Sequence, residues 1–226
     1  MTEVEYKIHI DKVIQRLEDA RVAFSEHHIV KIIAVSKYST QEEITALYKI
    51  GQRAFGENKV QDLVQKSQDL DEYPLEWHFI GNLQKNKINH LIDADPTLFQ
   101  GLDSITLAKA LQQRLEVKES SMECLLQINS ANEETKAGVS AEEASDIYAQ
   151  IKETCPNIVL RGVMSIGAHS EDKKLITSSF EKTYKIYENL KDADICSMGM
   201  SGDFEQAVLC GSNMIRLGST MFPKKG

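Results

Sequence analysis

A chain of 226 residues, 42% hydrophobic and 27% charged, is long enough for one sizeable domain and too rich in core-forming residues to be disordered or fibrous. Its net charge of −8 opposes a phosphate backbone, and the closing Lys224-Lys225 is too short to offset it, so nucleic acid is not an expected partner. No apolar stretch approaches the roughly 18 residues of a membrane span, so no membrane partner is expected, and the polar start MTEVEYKIHIDKV lacks the core of a signal peptide. Cys124, Cys155, Cys196 and Cys210 are scattered without zinc-ligand or disulfide spacing. The expectation is a cytoplasmic protein.

The elements follow in chain order. An opening helix from about Glu5 to Ser25 precedes a strand at Ile29–Val35, and a helix from Gln41 to Ile50 is stopped by Gly51. A short strand at Ala54–Phe55 leads to Asn58, a natural cap for the next helix. Trp77–Ile80 reads as strand, Gln84–Ile92 as helix, and Thr97–Leu102 as strand, with Asp103 or Ser104 capping a helix to about Val117. Then come strand Cys124–Ile128, helix Ala141–Glu153, strand Val159–Met164 and a long helix near Leu175–Leu190. Strand Asp194–Ser197, helix Phe204–Leu209 and strand Met214–Leu217 close the series.

About eight strand–helix units in one chain of this size predict an α/β fold, a single-domain TIM (β/α)8 barrel over residues 1–226 with an extra N-terminal helix. A doubly wound open sheet would alternate in the same way, usually with fewer strands. In either architecture the site lies at the carboxyl ends of the strands. The polar residues just after each apolar run become the candidates.

Lys37, ending "KIIAVSK", is on its own an ordinary solvated strand end. With apolar walls and a nearby guanidinium it could instead attack a carbonyl as a Schiff-base amine. "SMGMSGDFEQAV" and "MIRLGSTMF" place Ser201, Gly202, Gly218, Ser219 and Thr220 after the last two strands, where TIM barrels bind phosphate. Each alone is a plain turn; two at the favoured positions suggest a phosphate cradle. Arg216, inside the final strand, must find either a carboxylate from a neighbouring strand or a ligand. His78 is a core histidine or a site residue, and it has no second ligand at metal spacing. "GMSGD" nearly matches a nucleophile elbow, but no histidine follows Ser201, which rules out a serine hydrolase.

The stretches "AVSK", "FGENKVQ", "WHFIGNLQKNK", "QINSANEETKAG", "RGVMSIG" and "SMGMSGDFEQAVLCGSNMIRLGSTMF" together resemble the pyridoxal-phosphate homeostasis family, from about Ile32 to Phe222. The resemblance implies a barrel like the N-terminal domain of alanine racemase, binding pyridoxal 5′-phosphate (PLP). By the same resemblance Lys37 forms the cofactor's internal aldimine, Asn58 and His78 line the pocket, and Ser165, Ser201, Gly218 and Ser219 bind the phosphate. Arg216 would face the pyridine nitrogen. Two departures stand out: Ser219 replaces a more usual threonine but keeps the hydroxyl, and Pro223 stands where a glycine often follows.

A guanidinium at the pyridine nitrogen leaves that atom largely unprotonated and weakens the ring as an electron sink, which disfavours decarboxylase or aminotransferase chemistry and leaves racemisation conceivable. Racemases of related fold add a C-terminal domain, and this chain stops a few residues past Phe222. The expected function is therefore a PLP carrier or buffer rather than an enzyme. PLP-dependent client enzymes are the expected partners, and the expected state is monomer or weak dimer. The alternative is a minimal amino-acid racemase using Lys37 as one base. A phosphosugar enzyme would share the cradle without the chromophore.

Overall fold

The computed structural model describes residues 3–133 and 135–223. The Lys224-Lys225 pair lies outside them. The first helix, α1 (Glu3–Phe24), buries Tyr6, Ile10, Val13, Leu17 and Ala20, a stripe spaced alternately four and three residues apart. The helix packs on the last helix of the chain and on the one that follows the first strand.

Strands and helices then alternate: β1 (Lys31–Val35), α2 (Gln41–Lys49), β2 (Ala54–Glu57), α3 (Val60–Asp69), β3 (Glu76–Phe79), α4 (Ile88–Asp93), β4 (Leu98–Leu102) and α5 (Ile105–Val117). They continue with β5 (Met122–Asn129), the two-residue β6 (Val139–Ser140), α6 (Ala144–Thr154), β7 (Ile158–Ser165), α7 (Lys173–Asn189), β8 (Ile195–Met200), α8 (Phe204–Leu209) and β9 (Met214–Leu217). The strands pair in the order β4-β3-β2-β1-β9-β8-β7-β5, and β4 pairs with β5, so eight strands close into a barrel. Every pairing is parallel. Closure excludes the open doubly wound sheet. β6 is an addition, held on the edge of β5 with Ile128 level with Val139.

Local chemistry sets the element ends. Thr40 caps α2 through a reciprocal box with Glu43, and Gly51, at φ +110°, takes the left-handed turn that ends it. Ser104, rather than Asp103, caps α5 by accepting from Leu107 N–H. Three expectations change. Asn58 caps nothing: α3 begins at Val60, and the residue at its cap, Lys59, makes no side-chain bond. β2 runs on through Gly56 to Glu57, because its backbone pairs with β1 on one side and β3 on the other. The stretch expected as one helix from Gln84 is a 3₁₀ turn at Lys85–Lys87 followed by α4.

Alternate residues of each strand face two different cores. The larger cluster lies between strands and helices and includes Phe55, Phe79, Phe99 and Phe204. The smaller fills the barrel with Ile33, Ala54, Leu98, Leu125, Met164 and Met214. His78, Gln100, Ser197 and Arg216 are also buried there, and these polar side chains are unusual company for an apolar barrel layer.

Candidate functional site

Lys37 stands two residues past the end of β1 at the C-terminal mouth of the barrel and is half-buried. Its ammonium lies 5.0 Å from the centre of the Tyr38 ring, which is 88% exposed and so offers the amine an open side. The chain behind Lys37 is anchored. Ser36 N–H donates to Gly56 O at 3.0 Å, and Ser36 O accepts from Ser39 N–H at 2.8 Å and from the Lys66 ammonium at 2.7 Å. The Ser36 hydroxyl donates to Glu57 Oε1 at 2.6 Å, and the same oxygen is ion-paired to Lys66 at 2.8 Å. Glu57 is fully buried, and its second oxygen has no hydrogen-bond partner among the described residues. Lys66 was not foreseen, whereas Glu57 stands among the polar residues that follow an apolar run, and a glutamate inside the buried strand "AFGE" is itself a signal.

β9 is the neighbour of β1, with Ala34 level with Leu217, so the loop after β9 rises beside Lys37. In that loop the N–H groups of Gly218 and Thr220 both donate to Ser201 Oγ, at 3.1 and 3.3 Å. A single hydroxyl oxygen from the loop after β8 thus occupies the focus of two converging backbone donors. A Cβ at Gly202 would meet nothing within 4 Å, and one at Gly218 would only touch Val35 at 3.7 Å, so both glycines border open space. Ser219 is exposed on the same loop. His9 of α1 bonds Thr220 O at 2.7 Å and ties the extra helix to this loop, a contact no sequence pattern announced.

Asp203 sits at the start of α8, where its carboxylate accepts from Met200 N–H at 2.6 Å instead of capping the helix. Burial pushes its pKa up, against the opposing pull of that bond and of Arg216.

Arg216 is buried on β9 and points into the barrel. Among the described residues no carboxylate lies within ion-pair distance of it; its acceptors are Ser197 Oγ at 2.6 Å and Ser165 O at 2.8 Å. The structural ion pair weighed from sequence is absent. Burial lowers its pKa to about 10, against the pull of Asp203 and Cys196, so it remains a cation at neutral pH. A buried guanidinium held by neutral acceptors is poorly compensated, and two of its five N–H groups are used in these bonds.

The remaining candidates separate. Ser165 ends β7 with its hydroxyl turned towards α7, where it accepts from Thr183 Oγ1 at 2.9 Å; only its carbonyl reaches the site, through Arg216. His78 is buried below the mouth, level with Gly56 and Leu98, and contacts Gln100 at 3.2 Å. Burial, with a smaller push from Lys31, keeps its pKa low against the pull of Glu76. Asn58 lies half-buried in the turn after β2, where a Cβ at Gly81 would come within 2.0 Å of Asn58 O. Only glycine fits there. The structure thus gathers Lys37, Ser201, Gly218 and Ser219 on neighbouring strand ends around Arg216 and leaves His78 and the Ser165 hydroxyl outside the mouth. Among the described residues no His, Cys, Asp and Glu group could hold a metal.

A closed parallel barrel with an amine, a buried guanidinium and converging backbone donors at its mouth is of the class described as "Alanine racemase, N-terminal domain", whose family model matches residues 8–224. A Helicobacter pylori protein named pyridoxal phosphate homeostasis protein is 51% identical over 97% of this chain and 99% of its own length. A structure from Bifidobacterium adolescentis, described as an unknown protein, superposes with a TM-score of 0.90 at 29% identity, covering 97% of this chain and 95% of that one. PipY of Synechococcus elongatus, solved with PLP bound, gives a TM-score of 0.78 at 28% identity over 92% of this chain and 98% of its own. The chain belongs to the pyridoxal phosphate homeostasis protein family.

Proposed function

We propose that this protein binds PLP reversibly at the barrel mouth and carries or buffers it in the cytoplasm as a single barrel domain. The observation that carries the reading is Arg216: a buried cation with neutral acceptors, on the strand next to the one that Lys37 follows. The name of the Helicobacter relatives and the PLP held by PipY support the same ligand.

When bound, PLP supplies an aldehyde conjugated to a pyridine ring. Lys37 is the amine set to condense with that aldehyde, and the anchored Ser36 backbone fixes where the lysine starts. Arg216 directs its unused N–H groups to the pyridine nitrogen, which therefore stays unprotonated. The Gly218 and Thr220 N–H groups, already converged on an oxygen, take the phosphate together with the Ser201 and Ser219 hydroxyls. Asn58 borders the ring from the turn after β2. Ser165 serves through its carbonyl and His78 from below. An exposed Tyr38 beside Lys37 leaves a route for the cofactor to leave. This suits hand-over to PLP-dependent enzymes by a monomer or weak dimer.

The racemase alternative is not favoured, because relatives matching nearly the whole chain are named for homeostasis. The test is direct. The purified protein is expected to turn yellow with PLP, and borohydride is expected to fix a pyridoxyl group on the peptide containing Lys37. Failure to take up supplied PLP refutes the site. Catalytic exchange at Cα of an L-amino acid in deuterated water, with D-product, refutes the carrier role.

A further inference from the structure

A chain of polar side chains crosses the barrel interior from β9 to β3. Arg216 Nη1 donates to Ser197 Oγ at 2.6 Å. A hydroxyl that accepts from a guanidinium sends its own proton elsewhere, and Ser197 Oγ lies 2.7 Å from Gln100 Oε1. That bond decides which end of the Gln100 amide is oxygen. Gln100 Nε2 then faces His78 Nδ1 at 3.2 Å and Met214 Sδ at 3.3 Å, two acceptors for its two hydrogens. Every donor points the same way, from arginine to imidazole. His78 Nδ1 must accept, so the ring proton sits on Nε2, which has no hydrogen-bond partner among the described residues and stands 3.9 Å from Glu76 Oε2.

The direction matters for Arg216, which has no carboxylate within ion-pair distance among the described residues. A free serine hydroxyl could rotate and offer the guanidinium its proton instead of its lone pair. Gln100 prevents this by taking that proton, and His78 in turn fixes Gln100. We propose that Ser197, Gln100 and the neutral Nε2–H form of His78 are positioning residues that hold Arg216 in the orientation it presents to the ligand ring. None of them touches the ligand in this reading. The part of the proposal that concerns the ligand rests on the PLP assignment; the direction of the chain is a property of the protein alone.

Two measurements on the full chain test it. The first is ¹⁵N NMR of His78 in ligand-free protein. The wild type is expected to show one neutral tautomer with the proton on Nε2. Gln100→Glu replaces the amide donor with a carboxylate acceptor, and is expected to place a proton on Nδ1. The second is titration with PLP, read by absorbance. Ser197→Ala is expected to weaken binding about tenfold, the loss of one charge-assisted hydrogen bond, and to shift the absorption maximum of bound PLP. Wild-type His78 with its proton on Nδ1 overturns the proposal, as does Ser197→Ala with wild-type affinity and spectrum. Should Ser197→Ala fail to fold, Gln100→Glu carries both readouts, and an unchanged spectrum there overturns it equally. If the wild type takes up no PLP, the PLP reading falls, while the tautomer still decides the direction of the chain.

Discussion

At the scale of single residues, the site is organised around oxygens and N–H groups whose partners are already chosen. Ser201 gathers the N–H groups of Gly218 and Thr220 from a loop that the chain reaches 17 residues later or more. The bonds join the loops after β8 and β9, and they also hold two donors at one point before any anion arrives. Ser201→Ala removes the shared acceptor without disturbing the core, since the residue is only half-buried. Each lost bond is worth about 1 kcal/mol. The expected result is a fall of up to about tenfold in affinity for PLP and little change for pyridoxal, which lacks the phosphate. Calorimetric titration with both ligands checks this. An equal loss for the two would place Ser201 away from the phosphate.

At the scale of elements, β1, β2 and α3 are locked by one buried ion pair. Glu57 on β2 and Lys66 on α3 close around Ser36, just past β1, so the segment bearing Lys37 is fixed from outside the barrel. Lys66→Met leaves Glu57 fully buried and without its charge partner, and is expected to cost about 3 kcal/mol, lowering Tm by roughly 6–12 °C. Glu57→Gln combined with Lys66→Met removes both charges and is expected to recover most of that loss, as thermal melts of the three variants would show. A double variant as unstable as Lys66→Met alone would mean that packing, not charge, holds the joint. This joint also marks where sequence stopped being legible. The alternation of apolar runs revealed the barrel, because a parallel strand buried on both faces writes itself as a continuous run. The quoted stretches pointed to Lys37 and Arg216. What they could not convey were pairings between residues far apart in the chain, such as Gln100 with Ser197 or His9 with Thr220. Asn58 is a good cap residue that stands one position before the cap of α3, a distinction that residue type alone does not carry. Ser165 was placed correctly at a strand end, but strand alternation turns its hydroxyl towards α7.

At the scale of the whole molecule, the barrel's two ends divide the work. The C-terminal end carries the candidate site, while the N-terminal end is laced by ion pairs: Lys31 with Glu76, and Arg161 with both Glu123 and Asp194. The Glu76 carboxyl is held down to about 2 from an ordinary 4.5, by His78 and then Lys31, against partial burial. His78 stands 3.9 Å away and burial keeps it uncharged, so the ammonium of Lys31 is the firmer hold. A carboxyl whose pKa is lower folded than unfolded adds stability that is complete above about 4.5 and is lost as pH falls towards 2. Asp203, raised by burial, works in the opposite sense and gains stability as it takes up its proton. Acid melts of the wild type alone would mix the two, whereas comparison with Lys31→Met cancels Asp203. The variant is expected to be less stable at pH 7 by no more than about 1 kcal/mol, because the pair is partly exposed and screened. That gap is expected to narrow between pH 4.5 and 2, and to shrink at pH 7 when salt is raised. Melting curves across this range at two salt concentrations measure both trends, and a gap that stays constant with pH would assign Lys31 to packing alone.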